Sequence, residues 1–426
     1  MSFQQALSGL AAAGTALDVI GNNVANSSTV GFKSATADFA DLYAASLSTS
    51  SASQVGSGVG VAAIRSQFTQ GNLTTTSNPL DLAINGGGFF RMRNSGSGTI
   101  TYSRDGQMKT DKSGYVVNDQ NLRLTGYNYD PKVGALVPTL TDLKLSSSLL
   151  PAKPTSNITI GLNLDSGATV PSVAFPPPPV PAVPPLPSVQ PPTTSYNFAS
   201  PATVFDSLGN SHVFNTYYVF VSPGTWNMYA TLDDKFDDAS MAAGTLPAPV
   251  PITFDSSGTM TSSPTVQLQD YKLTNGASTP WTATLNFTDT TQFGSASTVN
   301  SVDQNGYTSG SLAALGIGSD GLIQGRYSNG AAFTLGQVLL STFAAPNGLA
   351  NVGNNQWSLT SESGSEVIGV PGTGGRGLLQ SASVEESNVD LTKQLVAMIT
   401  AQRSYQASAQ TIKTQDAILQ TLLNLR

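Results

Sequence analysis

Apolar residues recur at helical spacing at both ends of this chain and at strand spacing between them. Residues 1–32 hold one charged side chain, Asp18, and no proline, and they align Phe3, Leu7, Leu10, Leu17, Ile20 and Val24 on one face. Positions 3, 7, 10, 14, 17, 21 and 24 follow a four-three repeat, the signature of a seam that faces another helix. Gly14 and Gly21 are gaps in that seam where another backbone can approach. Ser2 followed by Gln5 reads as a capping box, and Gly21-Asn22-Asn23 as a helix end. Residues 388–426 repeat the pattern with Leu391, Leu395, Met398, Tyr405, Ile412, Leu419 and Leu422; Ser387 and Asp390 cap it, and Gln402 and Asp416 interrupt it. The spacing predicts terminal helices of roughly 30 Å and 50 Å at ~1.5 Å per residue.

Between the ends the period shifts to two. Residues 33–77 are small and polar and read as an extended connector. Leu80-Asp81-Leu82-Ala83-Ile84 alternates, as do Ile158, Ile160, Leu162 and Leu164. Hairpin or strand turns are expected at Asp119-Gln120-Asn121, Asp255-Ser256-Ser257-Gly258 and Tyr327-Ser328-Asn329-Gly330. Eleven of the 25 prolines fall within 171–192; proline fixes φ and removes a donor, so this segment reads as a polyproline II surface loop. The predicted class is mainly β with α-helical termini whose apolar seams form a coiled-coil-like pair, and residues 145–303 read as a separate, inserted β domain.

Composition narrows the function. Charged residues make up 11% of the 426 positions and the net charge is −7, so no basic footprint for nucleic acid exists. Hydrophobic residues at 39% are too many for a disordered chain. There is no cysteine, which removes thiolate metal sites and cysteine nucleophiles. No run of about 18 apolar residues predicts a membrane span. The start carries no basic n-region followed by an apolar core, so if the protein acts outside the cell it is expected to leave without a cleaved signal peptide.

No catalytic constellation stands out. His212 is the only histidine and has no nucleophile signature beside it. Asp233-Asp234-Lys235-Phe236-Asp237-Asp238 lacks the ligand spacing of a calcium loop and reads as a solvated turn. Gly372-Thr373-Gly374-Gly375-Arg376-Gly377 lacks the Lys and Ser/Thr of a phosphate loop. No catalytic, metal or cofactor residue is assigned. Assembly through the helical ends is the leading reading, against a secreted β-rich enzyme or adhesin.

Four stretches then carry a resemblance. Residues 16–33, from Ala16-Leu17-Asp18-Val19-Ile20-Gly21-Asn22-Asn23 to Gly31-Phe32-Lys33, resemble the N-terminal signature of the bacterial flagellar axial proteins of the rod and hook. Residues 78–90 and 102–118 resemble the next two signatures, and Ser387-Asn388-Val389-Asp390-Leu391 the C-terminal one. The length and the inserted domain resemble the hook members; a distal rod subunit is the alternative. The resemblance implies nested, discontinuous domains, with 1–32 plus 385–426 as the inner helical pair, 78–144 plus 304–384 as a β domain and 145–303 as the outer inserted β domain. It implies a helical homopolymer, a curved hollow tube that passes motor torque to the filament as a universal joint. It also implies type III export, an extracellular location, and contacts with a hook cap protein, distal rod proteins and hook-filament junction proteins.

Overall fold

In a computed structural model of the chain, the described residues are 2–42, 56–130, 133–145, 149–175, 190–236 and 248–424. They form a mainly β protein with one long helix at each end. The chain divides into two compact units: residues 1–147, 314–326 and 332–426 in the first, and 148–313 with 327–331 in the second.

In the first unit, helix α1 (Ser2–Ala25) and helix α2 (Leu391–Asn424) lie side by side. Helix α1 runs past the expected end at Gly21 to Ala25. Next comes an antiparallel hairpin of β1 (Ala35–Leu42) and β2 (Gly58–Ser66), whose register shifts between Asp38 and Phe39. This hairpin packs against α1, so over 35–42 and 58–66 the expectation of an extended connector gives way to paired strands. The apolar side chains there are mostly alanine and glycine, and the bulge breaks the two-residue period, which hides the strands from a pattern reading. Two short ladders then join the early chain to the late chain: Leu73–Thr75 pairs with Ser383–Glu385, and Leu82–Asn85 with Leu378–Ser381. The larger sheet has Phe89–Arg93 and Arg123–Asp130 at its centre. Its core contains Leu82, Ile84, Phe90, Met92, Leu124, Leu143, Val338 and Leu340. The expected turn at 119–121 closes there, with Asn121 at φ 59°.

The second unit stacks two sheets. One is the antiparallel set Phe198–Phe205, Ser211–Ser222, Thr225–Leu232 and Val250–Thr253. The other centres on Asn157–Asp165, which pairs with Trp281–Asn286, Thr291–Phe293 and Thr298–Gln304. Ile158, Ile160, Leu162 and Leu164 are fully buried and meet Val204, Phe214, Trp226 and Met228 of the facing sheet; the alternation is the direct consequence of one strand face pointing into a shared core. The turns expected at 255–258 and 327–330 form, with Gly258 and Gly330 at positive φ. The polyproline expectation falls largely on 176–189, outside the described residues.

Candidate assembly interface

Helix α1 turns its small side chains inward. Ala6, Ala12 and Ala13 are buried, Leu10, Leu17, Ile20 and Val24 are half-buried, and Phe3 and Leu7 are exposed. The tight approach to α2 falls at Gly9, where an added Cβ would lie 3.2 Å from Ser408 Oγ. Around Gly14 and Gly21 no described atom outside the local helix backbone and chain neighbours lies within 4 Å of an added Cβ. The expected gaps are therefore left unfilled among the described residues, and the close approach of the two helices falls elsewhere, at Gly9. Gln5 does not close a capping box: its amide donates to the Gly56 carbonyl at 2.6 Å, tying α1 to the hairpin.

Helix α2 is capped as expected, with the Asp390 carboxylate accepting from the Lys393 amide at 3.1 Å. Its half-buried positions include Gln394, Ala397, Ala401, Ser408, Ile412 and Gln415, so the face toward α1 is rotated from the sequence seam and shares Met398 and Ile412 with it. Leu391, Leu395 and Tyr405 are exposed, as is Leu419. Leu422 lies in the helix, its side chain outside the described set. Gln402 and Asp416 are exposed too. No side chain from 391 to 421 is buried. Leu391, Leu395, Val396, Ile399, Ile418 and Leu419 each keep 46–60% of their surface in water. Single exposed apolar residues need no explanation, but a row of them along one helix marks an interaction face. Five hydroxyls on α2 are already internally satisfied. Thr400, Ser404, Thr411, Thr414 and Thr421 each donate to the carbonyl four residues earlier, so this surface can be covered without stranding those donors. The hairpin adds exposed Phe39, Leu42, Val61 and Ile64.

The helix pair is fixed to the β body by a polar lock that the sequence pattern did not reveal. The Lys33 ammonium donates to Glu385 Oε1 at 2.7 Å and to the Thr69 carbonyl at 2.7 Å. Arg104 donates to Glu385 Oε2 at 3.2 Å and to the Gly86 carbonyl at 2.9 Å. The Gly71 amide also donates to Glu385 Oε1, at 3.0 Å. Lys33 and Glu385 side chains are fully buried. Burial pushes the Lys33 ammonium below its ordinary value, and the Glu385 carboxylate only partly offsets that. Around this centre Asn23, also buried, exchanges two hydrogen bonds with the Ala35 backbone at 2.8 and 2.9 Å. Asn388 accepts from the Ser34 amide at 2.7 Å and donates to the Gln67 carbonyl at 2.7 Å. Gly31, at φ +70°, lies so close to Asp105 that an added Cβ would come within 2.5 Å of its amide nitrogen. The signal for the lock was present as Lys33 beside a run with one charge, and Glu385 just before α2. Its partners are over 350 residues apart, so no local pattern could pair them.

Among the described residues no group of three His, Asp or Glu side chains could hold a metal ion. No described helix is long and apolar enough to cross a membrane.

Comparison with known proteins follows the same layout. The family model described as Flagella basal body rod protein matches residues 3–33, and Flagellar basal body rod FlgEFG protein C-terminal matches 380–425. Flagellar hook protein FlgE/F/G D1 domain matches 83–170, and Flagellar basal body protein FlaE D2 domain matches 163–307. Helical ends locked together on a β body, matched in this order, define a flagellar axial protein of the rod and hook class. The chain is 42% identical over 433 residues to the flagellar hook protein FlgE of Escherichia coli K12, covering 100% of both chains. It is 31% identical over 461 residues to the flagellar hook protein FlgE of Borreliella burgdorferi, covering 100% of this chain and 99% of the relative. The chain belongs to the flagellar hook protein family. The crystal structure of the Helicobacter pylori flagellar hook protein FlgE2 shares the fold, with a TM-score of 0.51 at 12% identity over 72% of this chain and 99% of that one.

Proposed function

We propose that this chain is the structural subunit of a bacterial flagellar hook, and that α1 and α2 build its inner wall by packing against the same helices of neighbouring copies. The observation that carries this reading is the row of exposed apolar side chains on α2, with none buried up to residue 421. Burying the exposed half of each such Leu or Ile is worth on the order of 1 kcal/mol, and only other chains can supply the cover. Phe3, Leu7, Leu391, Leu395, Tyr405 and Leu419 are the polymer-facing residues in this reading, and Gln402 and Asp416 are candidates for a polar channel-facing stripe. The polymer is a curved hollow tube that transmits motor torque as a universal joint. The chain reaches its growing end through the flagellar export apparatus, and its ends meet cap, distal rod and junction proteins.

The role is structural rather than catalytic. Deleting 2–24 or 400–426 should abolish polymer while the second unit stays folded. Electron microscopy under polymerising conditions tests the reading: curved hollow tubes from the intact chain support it, straight tubes favour a distal rod subunit, and tubes from either truncated chain refute the role of the helices.

A further inference from the structure

The lone histidine sits between two carboxylates in the second unit. His212 Nδ1 lies 2.6 Å from Asp233 Oδ2, and Nε2 lies 3.2 Å from Asp206 Oδ2. A neutral imidazole has one donor nitrogen and one acceptor. A carboxylate oxygen facing each nitrogen therefore calls for a proton on both.

The two acids differ in how firmly they are held. The Asp206 side chain is fully buried and also accepts from the Leu208 and Asn210 amides and from the Asn210 and Asn275 side chains. Asp233 is half-exposed and sits in a tight turn where it and Asp234 adopt φ of 49° and 61°. Two successive left-handed residues make the turn type that favours Asn and Gly, so this Asp-Asp pair needs outside support. Asp233 finds it in the Val213 amide, at 3.0 Å, and in the His212 ring.

We propose that His212 is an imidazolium clip fastening the Asp206 loop to the Asp233–Asp234 turn, and that loss of one ring proton to solvent as pH rises releases that turn. The charged groups facing the ring are Asp206 and Asp233, with Lys235 and Lys272 lining the same cavity. Burial pulls the ring's pKa down, but the hydrogen bonds and charges of Asp233 and Asp206 outweigh it, so the net displacement is upward. A folded-state value above the unfolded one means the stabilisation is complete below the ordinary histidine range. It is lost as pH rises through the folded-state value. The clip thus holds below that folded-state value and opens above it.

Because the chain has one histidine, NMR of the full-length 15N-labelled protein reads its ring without assignment. The expected result is both ring nitrogens protonated at pH 7 and a titration midpoint above that of a free imidazole. Asp233→Asn, which keeps a residue at ease with positive φ, should move the midpoint down, and His212→Gln should remove the alkaline fall in melting temperature. A midpoint at or below the free value, a midpoint that Asp233→Asn leaves in place, or parallel alkaline melting of wild type and His212→Gln would overturn the proposal.

Discussion

The Lys33 ammonium and the Glu385 carboxylate meet at 2.7 Å with both side chains fully buried, although 352 residues separate them. The contact closes the chain on itself at the level where both terminal helices leave the β body. Truncating one member of a buried pair leaves the other charge uncompensated, which costs about 3–5 kcal/mol. Glu385→Ala should therefore strip that much from the first unit, since Lys33, Arg104 and the Gly71 amide all lose their acceptor. Urea unfolding followed by the fluorescence of Trp357, which is buried in that unit, checks it.

Gly9 and Gly14 should respond differently to a bulky side chain. Gly9→Leu forces α1 away from Ser408 and should lower the melting temperature of the free subunit. At Gly14 an added Cβ has no other described side chain or strand within 4 Å, and replacing an interior helix glycine gains up to about 1 kcal/mol of helix propensity. Gly14→Leu should leave the free subunit as stable or more so, yet block tube formation if a neighbouring copy packs there. Circular dichroism and sedimentation of the two variants separate the intramolecular face from the polymer face.

Substitutions on the outer row of α2 should leave the subunit fold untouched. Leu395→Ser and Leu419→Ser remove side chains that are half in water already, so each should change stability by no more than about 0.5 kcal/mol. Together they should abolish sedimentable polymer. A double variant that still forms tubes in electron micrographs would count against α2 as a polymer contact.

Acid should weaken the second unit through Asp206. Burial raises its pKa, but the hydrogen bonds from Asn210, His212 and Asn275 outweigh it and hold the carboxyl well below the ordinary 3.8. A depressed folded-state value means the stabilisation is complete above the unfolded value and is lost as pH falls through the folded one. Thermal melts should drop steeply below about pH 4, and Asp206→Asn should flatten that slope while costing about 1–3 kcal/mol at pH 7.

How much was legible from residues alone varies by element. The helix capped by Asp390, the fully buried alternation at 158–164 and the turns at 119–121, 255–258 and 327–330 could be read because each depends on neighbours within a few positions. The β1–β2 hairpin was not, because alanine and glycine carry little hydrophobic contrast and the bulge at Asp38 and Phe39 shifts the period. The seams on α1 and α2 were found as apolar stripes, but which stripe faces its partner helix was not. The intramolecular contact took the small residues Gly9, Ala12 and Ser408 and left Phe3, Leu7 and Leu395 outside.

The sequence by itself therefore determined the terminal helices, the buried strand alternation at 158–164, the charge-poor ends and the absence of thiol chemistry, all of which follow from local spacing and composition. Only the tertiary structure decided which helix face is spent within the subunit and which remains for other copies. It alone placed Glu385 against Lys33 and Arg104, and His212 between Asp206 and Asp233. Those choices rest on close packing and on pairing buried charges across long stretches of chain. Both are set by where the backbone returns in space, which no local pattern encodes.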